Sequence, residues 1–322
     1  MRDAFIRTLT SLAQQDENLY LLSGDLGFKV FDDFRYKCPR QFLNMGVAES
    51  LMVSVAAGLA LEGKKPFIYS IASFLTMRPY EHIRNDICFH KAGVVLVAAG
   101  GGFSYGLNGA SHHALTDVTL MRALPEMTVF TPADPHETIW AVKTAYGQEG
   151  PSYIRLGRSK EPCVHEGPLN GNGIKQGIVL REGNEVAILV SGFILPNAVV
   201  AAEELMAQGY SVRLISFPLI KPLSEELVRD TFEQCVWVFT VEEHSLTGGF
   251  SAAVMELAIT KGLPLDKLCP ITATAKVVTG TTFSEKTIHE AGSHDYLRSK
   301  AGLSSEEILQ RMQSFMKKEA LC

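Results

Sequence analysis

No run of apolar residues in this sequence reaches the roughly 20 in succession that a membrane-crossing helix needs. Low-complexity tracts and repeats of solenoid period are missing too. The six cysteines, at positions 38, 88, 163, 235, 269 and 322, are scattered, with no close pair and no ligand-like spacing to histidine. That argues against a disulfide framework or a zinc site and for a reducing compartment. Charge of one sign is also scarce: the net charge is −5 over 322 residues, which gives no basic field for nucleic acid or an anionic membrane surface. The first turns mix Arg2, Asp3 and Arg7 with apolar residues at helical spacing and lack the apolar core of a signal peptide. The expectation from these absences is a cytoplasmic protein with no nucleic-acid or membrane partner.

What is present is an ordinary globular composition, 46% hydrophobic and 20% charged, at a length that suggests about two domains. Short apolar runs alternate with segments of helical period, the pattern of an α/β protein with a mostly parallel sheet. Strands are expected at Leu19–Leu22, Pro66–Tyr69, Val94–Ala99, Met127–Thr131, Val186–Val190, Val212–Ser216 and Val236–Val241. Helices are expected at Leu51–Leu61, Tyr80–His90, Asn197–Gln208, Phe250–Lys261 and Ser304–Lys318, the last with a Ser-Ser-Glu-Glu start of capping type. Between Pro162 and Gly183 the composition turns to glycine, asparagine and proline. This predicts one α/β unit over 1–165, a connection over 166–180, and a second, smaller α/β unit over 181–322.

Several groups stand out against this frame. Glu49 precedes the apolar, small-residue run Leu51–Ala60, where a carboxylate at a helix start is either a capping acid or a buried group whose pKa burial raises. Gly100, Gly102 and Gly106 follow a strand and superficially match a dinucleotide fingerprint. The chain then continues as loop rather than helix, so a nicotinamide site is not expected. That loop ends in Ser111-His112-His113, with Asp117 near enough to orient one ring. Such a histidine is either a surface residue or a proton shuttle. Phe74, Met77 and Tyr80 recur at spacing three, which reads as core packing or as an apolar slot for a flat ring. Arg155 and Gly157 share a strand face and Arg158 lies at the strand end. Arginines there are solvated charges or phosphate ligands.

In this order the motifs resemble the C-terminal half of transketolase along essentially the whole chain. The matching stretches are Leu22-Ser23-Gly24-Asp25-Leu26, Gly46-Val47-Ala48-Glu49, Ala56-Ala57-Gly58-Leu59-Ala60 and Ser73-Phe74-Leu75. They continue in Gly109-Ala110-Ser111-His112, Gly150 to Arg158, Lys221-Pro222-Leu223, and Val241 to His244 with Gly248-Gly249. The resemblance implies a pyrimidine-binding thiamine-diphosphate domain followed by a smaller transketolase C-terminal domain. It also implies roles for single residues. Glu49 matches the glutamate that holds a proton at pyrimidine N1′ and so favours the imino tautomer of the 4′-amino group. Phe74 matches the stacking aromatic, with Tyr80 completing the pocket and Met77 standing where the family often has another aromatic. His112 matches the histidine that meets substrate hydroxyls, and Arg158 the arginine that grips a sugar phosphate, with Arg155 assisting.

No Gly-Asp-Gly motif occurs; Gly24-Asp25-Leu26 is the nearest, and it matches the pyrimidine half. The resemblance therefore implies a split enzyme. An N-terminal partner subunit would carry the diphosphate-binding domain and most of the Mg2+ site in an α2β2 heterotetramer, and this chain would supply no metal ligands. The activity implied is transfer of a two-carbon ketol unit from a ketose phosphate to an aldose. The alternatives are a 1-deoxyxylulose-5-phosphate synthase-like or 2-oxo-acid dehydrogenase beta-type subunit, and a non-catalytic regulatory or scaffold subunit. Residues 100–108 lack the histidine or aspartate pair usual in transketolases, which suggests a specialised choice of sugar.

Overall fold

Apolar runs of four to six residues are too short to be stable helices and bury themselves as strands when covered on both faces. The structure, a computed structural model, describes residues 1–27, 29–158, 161–169, 177–273 and 289–319. Part of the expected connection, residues 170–176, lies outside the described residues. The strands are β1 (Leu19–Ser23), β2 (Phe42–Asn44), β3 (Lys65–Ile71), β4 (Val95–Ala99), β5 (Thr128–Phe130) and β6 (Ser152–Leu156). They continue as β7 (Ile178–Arg181), β8 (Val186–Ser191), β9 (Val212–Ser216), β10 (Leu219–Lys221), β11 (Trp237–Glu242) and β12 (Leu268–Ile271).

Among the described residues they form two sheets, in the orders β10-β5-β6-β4-β3-β1-β2 and β12-β11-β8-β9-β7. Every pairing is parallel except at two edges, where β10 runs antiparallel to β5 and β7 antiparallel to β9. The first sheet is covered on both faces, and the strands read accordingly. Val95 and Val97 pack with Phe5, Leu9 and Trp140 of helices Arg2–Ala13 and Pro135–Tyr146. Their neighbours Leu96 and Ala98 point the other way, onto Met52, Val53 and Ala56 of helix Glu49–Leu61. In the second sheet β8 is buried along its full length beneath helix Leu195–Ala207.

The expected helix over Tyr80–His90 takes a different form. A short helical turn, Tyr80–His82, widens into a π-helical segment, Ile83–Cys88, in which the amide of Phe89 donates to the carbonyl of Arg84 five residues back. The wider turn buries Ile83, Ile87 and Cys88 together and leaves Asp86 to accept from Ser54 Oγ at 2.8 Å. The expected capping box is present at the last helix, Ser305–Glu319. Ser304 Oγ accepts from the Glu307 amide and Glu307 Oε2 accepts from the Ser304 amide.

A parallel sheet places the carboxyl ends of its strands along one edge, and that edge is where ligands bind in such folds. Here the segments after β2, β3, β4 and β6 carry Glu49, Phe74, His112 and Arg158 respectively, so topology alone gathers the four expected residues on one side of the first sheet.

Candidate active site

Glu49 opens its helix directly after a tight turn. Gly46, at φ +67°, gives its amide to Asn44 Oδ1, and Asn44 Nδ2 donates to Asp25 Oδ1 at 2.9 Å. The turn directs the Glu49 side chain inward, where it is 3% exposed. Both carboxylate oxygens are taken by side chains from neighbouring elements. Ser70 Oγ, on β3, donates to Oε1 at 3.2 Å, and Arg78 Nη1 donates to Oε2 at 3.0 Å. The carboxylate thus faces the site formed after β3 rather than closing its own helix.

Helix Ala72–Met77 follows β3 without a break and carries Phe74, which Arg78 links to that carboxylate. The Arg78 guanidinium lies 4.4 Å from the Phe74 ring centroid, and the His112 ring meets Phe74 edge-on at 5.0 Å. His112 sits in the single 3-10 turn Ala110–His112, anchored by Ser73 Oγ donating to the Ser111 carbonyl. Burial and the adjacent His113 lower the His112 pKa below its ordinary value, which keeps the imidazole neutral at neutral pH and able to accept a proton. Beyond it, Tyr105 lies 6.3 Å from the His112 ring, and Arg158 places its guanidinium 5.5 Å from the Tyr105 centroid. Glu49, Arg78, Phe74, His112, Tyr105 and Arg158 therefore form one continuous row. Arg158 ends that row on a cavity of about 660 Å³ between the two sheets' domains, lined also by Phe193, Asn197, His294 and Arg298.

Two aromatic-slot positions stand apart from this row. Met77 is exposed on the far turn, and the Tyr80 phenol is turned away to donate to the Leu120 carbonyl at 3.1 Å.

Two expectations are corrected by geometry. Arg155 does not stand beside Arg158 as a second phosphate ligand. It is 3% exposed, and its guanidinium is spent on Asp117 (2.8 and 3.2 Å) and on the carbonyls of Ala114 and Glu243. Asp117 in turn orients neither histidine of the 112–113 pair, because Arg155 and the Tyr153 hydroxyl, at 2.6 Å, already occupy it. Burial opposes charge on Asp117, but Arg155 and His244 outweigh it and hold the carboxyl below its usual range. The pair is a buried strut under the glycine-rich loop.

A second buried carboxylate fixes the same loop from the other domain. Glu243, 1% exposed, accepts from the Phe103 amide at 2.6 Å, from His294 Nε2 at 2.8 Å and from Arg298 Nε. The glycine run is shaped to these neighbours. A Cβ on Gly100 would lie 2.0 Å from the Tyr105 ring, and one on Gly102 would lie 2.1 Å from Glu243 Oε1, with positive φ at both. The segment continues into short 3-10 turns and a bridge from Gly102 to Ala114, not into the helix that a dinucleotide fingerprint requires.

A planar, N–H-bearing group fits between Glu49 and Phe74, since the Arg78 guanidinium occupies that position with one N–H on the carboxylate and one face on the ring. Among the described residues no group of three or more His, Cys, Asp or Glu is placed to hold a metal ion. Sequence reasoning passed over Ser70, Arg78, Tyr105 and Glu243. Arg78 carried a usable signal, because it lies one helical turn beyond Phe74 and so shares its face. Glu243 lay within the matched stretch Val241 to His244 but without a role, because its partners are remote in sequence.

Family models match the chain in two places: the transketolase pyrimidine-binding domain over residues 1–162 and the transketolase C-terminal domain over residues 175–291. The 6-deoxy-6-sulfo-D-fructose transketolase subunit SqwH of Clostridium sp. (strain MSTE9) is 32% identical, over 96% of this chain and 92% of its own length. A subunit of the apulose-4-phosphate transketolase of Phocaeicola vulgatus is also 32% identical, over 82% of this chain and 85% of its own length. Among solved structures, a split-gene transketolase described as an inactive beta4 tetramer superposes with a TM-score of 0.83 at 33% identity. That match covers 98% of this chain and 97% of the other. With both domains matched in order and along its length, the chain belongs to the transketolase family.

Proposed function

We propose that this chain is the pyrimidine-binding subunit of a two-subunit, thiamine-diphosphate-dependent transketolase that moves a two-carbon ketol unit from a ketose phosphate to an aldose. The observation that carries the reading is the buried Glu49 carboxylate at a helix start, linked through Arg78 to the Phe74 ring, which meets the His112 imidazole edge-on at 5.0 Å. When bound, the cofactor supplies the carbon nucleophile and the electron sink. Glu49 would hold the proton at pyrimidine N1′, and Phe74 would give the ring an apolar face. His112 would exchange protons with substrate hydroxyls, and exposed Arg158 would take the substrate phosphate.

The reading includes an N-terminal partner that binds the diphosphate and Mg2+, assembly as an α2β2 heterotetramer, and a cytoplasmic setting. The relatives named as subunits of transketolases and the inactive beta4 neighbour support the need for a partner. The thiols of Cys38, Cys88, Cys163 and Cys235 suit a reducing compartment. Among the described residues no helix is long and apolar enough to cross a membrane.

The test is turnover of the complex reconstituted with its partner, comparing the parent with Glu49→Gln. A loss of about 100-fold or more is expected for removal of a proton-transfer group. Near-normal turnover by the variant would refute the role of Glu49. Activity on pyruvate in place of a ketose phosphate would refute the sugar reading, and tight cofactor binding by the chain without its partner would refute the split site.

A further inference from the structure

The proposed function gives Arg78 no task, yet Arg78 is the side chain that touches both Glu49 and Phe74. Its backbone is helical, at φ −61° and ψ −50°, immediately after helix Ala72–Met77, and it stands four residues beyond Phe74. A cation is favoured at a helix C-terminus in any case, which accounts for an arginine here but not for its direction. Half of the side chain is exposed, so water is open to it. Instead its Nη1 donates inward to Glu49 Oε2 at 3.0 Å, while its Cζ lies 4.4 Å from the Phe74 centroid.

A guanidinium is flat, carries N–H groups at its edge and stacks on aromatic faces. An aminopyrimidine ring is also flat, has an edge nitrogen that meets a carboxylate, and stacks through its face. The two therefore compete for the same pair of contacts. Ser70, the other partner of Glu49, binds the opposite oxygen and does not enter the competition.

We infer that Arg78 is an internal stand-in for the cofactor ring, closing the pyrimidine pocket in the isolated chain and swinging into solvent when thiamine diphosphate is loaded at the partner interface. This rests on the proposed function, because it takes the ring's seat to lie between Glu49 and Phe74. The exchange conserves contacts, with one planar partner leaving the carboxylate and the ring as another arrives. Loading then has a threshold set by how firmly Arg78 holds. A side chain that fills the seat about nine-tenths of the time weakens apparent cofactor affinity about tenfold.

The test uses the complex of the full chain with its partner at fixed Mg2+, titrated calorimetrically with thiamine diphosphate and, separately, with inorganic diphosphate. Arg78→Met keeps a long apolar stem and removes the planar head. It is expected to bind thiamine diphosphate about tenfold more tightly and inorganic diphosphate unchanged. Unchanged or weaker thiamine diphosphate binding overturns the inference. A measurement on the unmutated protein guards against a variant that assembles poorly: the 15N-guanidinium resonance of Arg78 should shift on saturation with thiamine diphosphate and stay still with diphosphate. A resonance that ignores thiamine diphosphate also overturns it. The two readings fail differently. No binding of thiamine diphosphate by either complex, or full turnover by Glu49→Gln, removes the proposed function and the stand-in together. Tight binding and Glu49-dependent turnover with an unmoved Arg78 remove the stand-in alone.

Discussion

Replacing Glu243 by glutamine removes a charge that joins the two domains, and its cost can be worked from the contacts. The carboxylate is fully enclosed and receives the Phe103 amide from the first domain and His294 and Arg298 from the second. A glutamine oxygen can accept from one of these donors, but its NH2 then faces another donor. Taking away one partner of a buried ion pair costs about 3–5 kcal/mol. His294 is partly solvated, so the lower end applies, about 3 kcal/mol. For a chain of 322 residues that corresponds to a fall in Tm of about 4–5 °C.

The same substitution should loosen the glycine-rich loop locally, raising hydrogen exchange at the Phe103 amide. Melting by circular dichroism at neutral pH and exchange mapped over residues 100–115 are the assays. The pH dependence has a fixed sign. Burial opposes ionisation of Glu243, but Arg298 and His294 overcome it and hold the carboxyl well below its ordinary value of 4.5. The contribution is therefore present above that value and lost as pH falls beneath it, so parent and variant should converge in acid. A loss under about 1 kcal/mol, or a full loss with unchanged exchange at Phe103, would show that Glu243 does not tie the loop to the second domain.

Two further outcomes are expected. Burial pulls the His165 pKa down, but the 2.8 Å contact with Glu137 raises it above 6.5 overall, whereas burial and His113 leave His112 below 6.5. Histidine NMR should find midpoints on opposite sides of that value. The His165 contribution to stability should be complete below pH 6.5 and decline as pH rises through its midpoint, and a His165 midpoint below 6.5 contradicts the pairing. Gly102→Ala puts a methyl 2.1 Å from Glu243 Oε1 at φ +62° and should cost about 2 kcal/mol in denaturant unfolding. An unchanged unfolding midpoint would mean that the loop is not shaped around that carboxylate.

The sequence made the fold legible wherever burial is uniform. Val95–Ala99 and Val186–Ser191 are buried along their whole length, so an unbroken apolar run was a sufficient signal. Three-residue β2 and the edge strands β7 and β10 gave no such signal. Their pairing is decided by distant partners and their exposure is mixed. The same division holds at the site. Glu49, Phe74, His112 and Arg158 follow strands that share one sheet edge, so the order of motifs was enough to bring them together. Arg155 was misread because alternation fixes the face of a strand but says nothing about what lies opposite. Asp117, 38 residues earlier in the chain, waits on that face.

Strand β10 has a consequence for how the molecule is divided. The two family models meet between residues 162 and 175, and composition puts the connection over 166–180, yet Leu219 and Lys221 pair with Phe130 and Val129 across both. The unit recognised by heredity and the unit that closes a sheet are therefore different. Cutting the chain at its compositional joint would strip the edge from β5 and expose unpaired backbone beside the hydrophobic core, an invitation to self-association. The first domain is completed by a strand borrowed from the second, so its sheet is not finished without the residues beyond the joint.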